Sequence, residues 1–168
     1  MKEKVIKIYT DGAAKGNPGK AGWGAVFIVG KEVFEIGGGV DHATNNQMEL
    51  TAPIEALKYL KSSGLYPYPA FPLLRGRSEE GVLEIVSDSK YVILGITEWI
   101  FNWQKNNWRN AAKKPVLNKE LWEELSSLTE ELKPKWTYVK GHNEDKYNER
   151  ADRIATSFAE GEPVELKK

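Results

Sequence analysis

The chain contains no cysteine. Disulfides, thiol nucleophiles and thiolate metal sites are therefore excluded, and the composition fits a reducing compartment. No segment approaches the ~20 consecutive apolar residues of a spanning helix. No basic-then-apolar leader opens the sequence, so a cytoplasmic protein with no membrane partner is expected. The chain also lacks net charge, because 24 basic residues balance 24 acidic ones over 168 residues. Taken alone, that balance argues against a nucleic-acid partner. The distribution argues otherwise. Residues 99–119 carry Lys105, Arg109, Lys113, Lys114 and Lys119 with no acid, whereas residues 120–131 carry Glu120, Glu123, Glu124, Glu130 and Glu131 with no base. The two blocks cancel in the sum but not in space.

Hydrophobic residues make up 40% of the chain, enough for one globular domain over residues 1–168 with a sizeable core. Val5 to Thr10 alternates and reads as a strand that Asp11-Gly12 breaks. AKGNPGKAG reads as a turn region. WGAVFIVG and EVFEIGGGV read as two further strands joined by a hairpin at Gly30-Lys31. Thr44 is a good N-cap for a helix whose apolar face includes Leu50, Ile54 and Leu57. Pro53 inside that helix predicts a local irregularity beside Glu49. Residues 64–81, rich in proline and aromatics, predict no regular element, and the stretch looks longer than a simple link. Val82 to Asp88 is a fourth strand. Helical patterns follow at 89–97 and 98–106, then a helix capped by Asn118, a fifth strand KWTYVKG, and a last helix ending at Gly161. The tail EPVELKK is expected to fray. The order predicts an α/β fold: a five-stranded mixed sheet, three strands antiparallel and two added in parallel, flanked by helices.

Four acids sit where such a fold brings segments together. Asp11 and Asp88 close strands, where sites form at the carboxyl ends of parallel strands. Glu49 and Asp152 lie on adjoining helices. Each has an ordinary alternative: turn dipeptide, solvated helix residue, helix cap, or surface ion pair. As a set they are what a hard-cation site needs, since four like charges require a compensating cation.

The motifs YTDGAAKGNPG, TNNQMEL, IVSDSKYV, VKGHNEDKYNERAD and WIFNWQKNNWRNAAKKPVLNKELW occur in one order. Together, over residues 4–159, they resemble type 1 bacterial ribonuclease H. The resemblance implies a ribonuclease H-like fold and endonucleolytic cleavage of the RNA strand of RNA–DNA hybrids, giving 5′-phosphate and 3′-hydroxyl ends. It implies two Mg²⁺ ions, for which Mn²⁺ can substitute, held by Asp11, Glu49, Asp88 and Asp152. It makes His142 a loop histidine that assists proton transfer or product departure; the residue taken alone reads first as a surface loop histidine. A monomer is expected. Two other functions remain open: a DNA-acting nuclease or integrase of the same fold, and a hybrid-binding module without catalysis.

Discrimination of RNA from DNA requires contacts to 2′-hydroxyls. Asn17, Asn45, Asn46 and Gln47 are candidates, with Gly12 and Ala14 offering backbone groups, although turn and first-turn chemistry explains the asparagines too. By resemblance, Asn17, Asn45 and Gln47 follow the RNA strand and Thr44 seats a DNA-strand phosphate. The 99–119 segment resembles a basic handle in which Trp99, Trp103 and Trp108 interleave with Lys105, Arg109, Lys113 and Lys114. Exposed aromatics among basic residues would track a phosphate backbone, while a core role is the alternative for at least one tryptophan.

Overall fold

A computed structural model describes residues 5–64, 83–141 and 145–168. Apart from Gly64, the long proline-rich stretch lies outside the described residues, and so does His142.

β1 (Ile6–Gly16), β2 (Gly19–Val29) and β3 (Glu32–Ala43) form an antiparallel meander. β4 (Leu83–Ser87) adds in parallel to the free side of β1, and β5 (Lys135–Tyr138) adds in parallel to β4. The sheet order is β3-β2-β1-β4-β5, the mixed arrangement expected. One correction concerns Asp11. β1 does not break there but continues to Gly16, because its pairing with β2 runs on to Gly16↔Gly19. Its pairing with β4 stops at Thr10↔Ser87. Asp11 therefore lies one residue beyond the last parallel pair, where one edge of β1 is released. The expected turn region shrinks to the hairpin around Asn17-Pro18.

α1 (Asn45–Ser63) opens with a capping box: Gln47 N donates to Thr44 Oγ1 and Thr44 N to Gln47 Oε1. It runs unbroken through Pro53 and closes at Gly64, whose φ of 75° suits a left-handed cap. The irregularity expected at Pro53 is absent as a break in the helix. Proline removes one donor, but Leu50, Ile54, Leu57 and Leu60 bury the helix against the sheet and hold it.

After β4 come α2 (Lys90–Leu94), a π-helical turn (Gly95–Trp99) and α3 (Ile100–Lys105). The π turn coincides with Gly95, where a Cβ would lie 2.0 Å from the Trp122 ring. A large buried indole thus sits against the backbone where the helix widens. α4 (Lys119–Leu132) and α5 (Lys146–Ala159) have strongly amphipathic faces. α1 and α4 cover one side of the sheet, with Ile8, Phe27, Ile85 and Trp122 in that core. α5 covers the other, with Tyr9, Val26, Val86 and Ile154.

The C-terminal tail is a second correction. It is docked rather than frayed. Val164 and Leu166 pack against the α5-side core. Val164 N donates to Ser157 Oγ, Glu35 N donates to Lys167 O over 2.7 Å, and Lys167 N donates to Glu35 Oε1 over 2.8 Å. Arg150 forks onto both Glu35 oxygens at 2.7 and 2.9 Å and donates to Glu165 O. Glu35, on β3, is the buried acceptor at the centre of this group.

Candidate active site

α1 crosses β1 at closest range at Gly12. A Cβ there would lie 2.3 Å from the Met48 carbonyl carbon and 2.4 Å from Glu49 N. Only glycine permits this approach, and it sets Glu49 beside the Asp11-Gly12 peptide. The same device brings in α5. A Cβ at Gly24 would lie 2.7 Å from Ile154 Cβ and 2.9 Å from Ala151 O, so α5 presses onto the meander and carries Asp152 to β1.

Asp11 is nearly buried, at 8% exposure. Burial, then the charges of Asp88 and Asp152, push its carboxyl from the ordinary 3.8 up to about 9. A hydrogen bond with the Asp152 carboxyl adds to the rise, and the Gly12 N–H opposes it. Glu49 is also raised, by burial first and then by Asp88, against a hydrogen bond from Ser89. The Ser89 hydroxyl donates to Glu49 Oε2 over 2.6 Å and accepts from Val92 N, so one side chain caps α2 and fixes Glu49. Asp88 follows β4, and its Oδ2 accepts from Asn148 Nδ2 over 3.2 Å.

The four acids thus act on one another electrostatically, and no basic side chain is among the groups that shift Asp11 or Glu49. Hard carboxylate oxygens with uncompensated charge suit a divalent cation. Among the described residues, no three or more acids or histidines stand close enough together to hold a metal ion by themselves. That is compatible with a cation that retains water and takes substrate oxygens as ligands.

The polar candidates are tied to one another. Asn45 Oδ1 accepts from Ala14 N over 2.6 Å, and Asn17 Oδ1 accepts from Asn45 N over 3.0 Å. Their carbonyl oxygens are therefore occupied, which leaves the amide N–H groups to meet acceptors. Asn46 is exposed. Gln47 is committed at both ends, with Oε1 in the capping box and Nε2 donating to Asn118 Oδ1 at 3.3 Å. Asn118 was expected only as a helix cap. Its φ is 62° and its side chain makes no capping bond; instead Nδ2 donates to Tyr91 Oη at 3.1 Å. Sequence reasoning missed both Asn118 and Ser89 as members of the site. Ser89 next to Asp88 was the available signal, whereas Asn118 carried none.

In the handle, the three tryptophans pack on one another. Ring centroids are 6.0 Å apart for Trp99–Trp103 and 6.3 Å for Trp103–Trp108, and Trp103 meets Trp122 at 5.3 Å. Trp103 and Trp108 lie partly buried against the main core, and of the three Trp99 is the exposed one, at 38%. Lys105, Arg109, Lys113 and Lys114 are exposed and join no salt bridge among the described residues. The acidic block is partly neutralised elsewhere: Lys58 and Lys61 of α1 meet Glu124 and Glu131 of α4, each at 2.9 Å. The basic face is thereby left uncompensated.

Comparison with known proteins identifies the family. The family model described as RNase H matches residues 3–160. A Ribonuclease H of Thermosynechococcus vestitus is 46% identical over 164 residues, covering 97% of this chain and 94% of that protein. A Ribonuclease H of Erythrobacter litoralis is 44% identical over 157 residues, covering 94% and 97%. Among solved structures, LC9-RNase H1 superposes with a TM-score of 0.74 at 22% identity, covering 96% of this chain and 75% of that chain. LC11-RNase H1 in complex with RNA/DNA hybrid superposes with a TM-score of 0.60 at 25% identity, covering 93% and 97%. The chain belongs to the RNase H family.

Proposed function

We propose that this protein is an endonuclease that hydrolyses the RNA strand of RNA–DNA hybrids, leaving 5′-phosphate and 3′-hydroxyl ends. RNase H family enzymes are divalent-metal dependent. Here Asp11, Glu49, Asp88 and Asp152 would hold Mg²⁺, with Mn²⁺ able to substitute. The observation that carries the reading is the convergence of the buried Asp11, just past the last β1–β4 pair, with the facing Asp88 and Asp152 and with Glu49 beside Asp88. Clustered acidic side chains of this kind call for a compensating cation. When bound, the ions supply water activation and stabilisation of the leaving 3′-oxygen in an in-line displacement.

The rest of the work falls to the chain's own residues. Ser89 holds Glu49 on the Asp88 side of the cleft. The amide N–H groups of Asn17 and Asn45, left outward by their mutual bonding, donate to 2′-hydroxyl and base acceptors along the RNA strand. Asn46, the backbone of Gly12 and the Thr44 hydroxyl complete that line, Thr44 towards the DNA strand. Gln47 serves by orienting Asn118. His142 assists proton movement during product departure. Lys105, Arg109, Lys113 and Lys114 meet the phosphate backbone, with Trp99 as the exposed ring beside them. The protein acts as a monomer in the cytoplasm, a setting that suits its cysteine-free composition.

The test is cleavage of an end-labelled RNA–DNA hybrid beside duplex DNA, with Mg²⁺ and with EDTA. Wild-type protein should cut the RNA strand only when the metal is present, and Asp11→Asn should abolish cleavage with an unchanged circular dichroism spectrum. Full activity in Asp11→Asn refutes the assignment. Preferential cutting of duplex DNA would instead favour a DNA-acting member of the fold.

A further inference from the structure

Asn148 lies on α5 one turn before Asp152 and is 2% exposed. Its Nδ2 donates to Asp88 Oδ2 over 3.2 Å, while its Oδ1 is buried with no hydrogen-bond partner among the described residues. An unpaired buried acceptor destabilises a fold and calls for a reason. Turning the amide over gives no relief, because Oδ1 would then face Asp88 Oδ2, acceptor against acceptor. The demand of Asp88 for a donor therefore fixes the side chain. Gly141 closes the other side, since a Cβ there would stand 3.1 Å from the same Asp88 oxygen. Asp88 Oδ2 is thus bonded by Asn148 and approached by Gly141, and Oδ1 accepts no hydrogen bond among the described residues. The amide itself rides on the first turn of α5, where Asn148 N donates to Asp145 Oδ1 over 3.2 Å.

We propose that Asn148 is a positioning residue for the metal site: it holds one oxygen of Asp88 so that the other is presented to the cation, and it ties the end of β4 to the helix that carries Asp152. This inference rests on the metal-dependent nuclease reading above. The unpaired Oδ1 is the cost of that orientation. Partners that orient a ligand typically change metal affinity 10–100-fold when removed.

The experiment uses Asn148→Leu, which keeps the shape of the side chain and removes both its donor and its unpaired acceptor, with Asn148→Ala alongside. Mg²⁺ binding is measured by calorimetry without hybrid, melting temperature in EDTA, and hybrid KM at saturating Mg²⁺. Asn148→Leu should bind Mg²⁺ at least ~10-fold more weakly, melt no lower than wild type in EDTA, and keep its hybrid KM within about twofold. A lower melting temperature with unchanged Mg²⁺ affinity in either variant overturns the inference and leaves the residue a structural role. Failure of both variants to fold overturns it equally. Wild-type protein that neither binds Mg²⁺ nor cuts hybrid overturns the nuclease reading itself, whereas normal wild-type behaviour with wild-type affinity in Asn148→Leu overturns the inference alone.

Discussion

Replacing Glu35 with glutamine tests the energetics of the docked tail. Glu35 accepts two bonds from the Arg150 guanidinium and one from Lys167 N, at 2.7, 2.9 and 2.8 Å. Charge-assisted bonds contribute about 1.5–3 kcal/mol each, against about 1 for neutral ones, so loss of the charge across the three bonds sets a ceiling near ~6 kcal/mol. The Arg150 side chain is 33% exposed, and solvent screening brings the expected loss to about 2 kcal/mol. For a chain of this length that is roughly 4–8 °C in melting temperature. The pH dependence provides the sharper check. The hydrogen bonds from Arg150 and Lys167, with their charges, hold the Glu35 carboxyl below its ordinary 4.5 despite the opposing effect of burial. A depressed carboxylate contributes its full stability above the unfolded value and loses it as pH falls through the folded one. The gap in melting temperature between wild type and Glu35→Gln should therefore be constant from pH 7 to about 5 and close below about 4. Calorimetric melts from pH 3 to 7 measure it. A gap that persists unchanged at pH 3, or no gap at pH 7, refutes the assignment of this stability to the Glu35 charge.

Gly12→Ala forces a Cβ to within 2.4 Å of the Glu49 backbone nitrogen; it should destabilise the fold by about 1–3 kcal/mol in urea titrations and lower kcat as Glu49 moves. Ser89→Ala removes the cap of α2 and the bond to Glu49 together, so thermal melts should show a loss of about 1 kcal/mol and the Mg²⁺ concentration for half-maximal cleavage should rise. Lys113→Glu with Lys114→Glu should weaken hybrid binding and flatten its salt dependence in anisotropy titrations; an unchanged slope means that these lysines do not meet phosphate.

The strand order, the hairpin at Gly30 and the helix bounds were legible because they follow from period and punctuation. Thr44 is a local cap signal and gave the start of α1 correctly, while its reciprocal partner Gln47 emerged only in the structure. Misreadings arose where a distant partner overrides the local signal. Asp11-Gly12 reads as a turn, yet β2 continues to pair with β1 past it. EPVELKK reads as a frayed end because its anchors, Glu35 and Arg150, lie far upstream. Asn118 has cap chemistry but a φ of 62°, so its side chain leaves the helix for Gln47 and Tyr91. The tryptophans were legible as a basic-aromatic segment, but not their packing on one another, to which Trp122 from the next helix contributes an edge-on ring. The acids of the site were found through their motif contexts; the side chains that hold them, Ser89 and Asn148, are set by tertiary geometry.

β3 is an outer strand of the sheet, and an open strand edge is a template on which a second chain can pair. The tail meets that edge at Glu35, whose backbone N–H donates to Lys167 O. Residues 164–167 therefore occupy part of an edge on which another strand could otherwise pair. A change that pulls Lys167 away would free the Glu35 N–H and open that part of the edge.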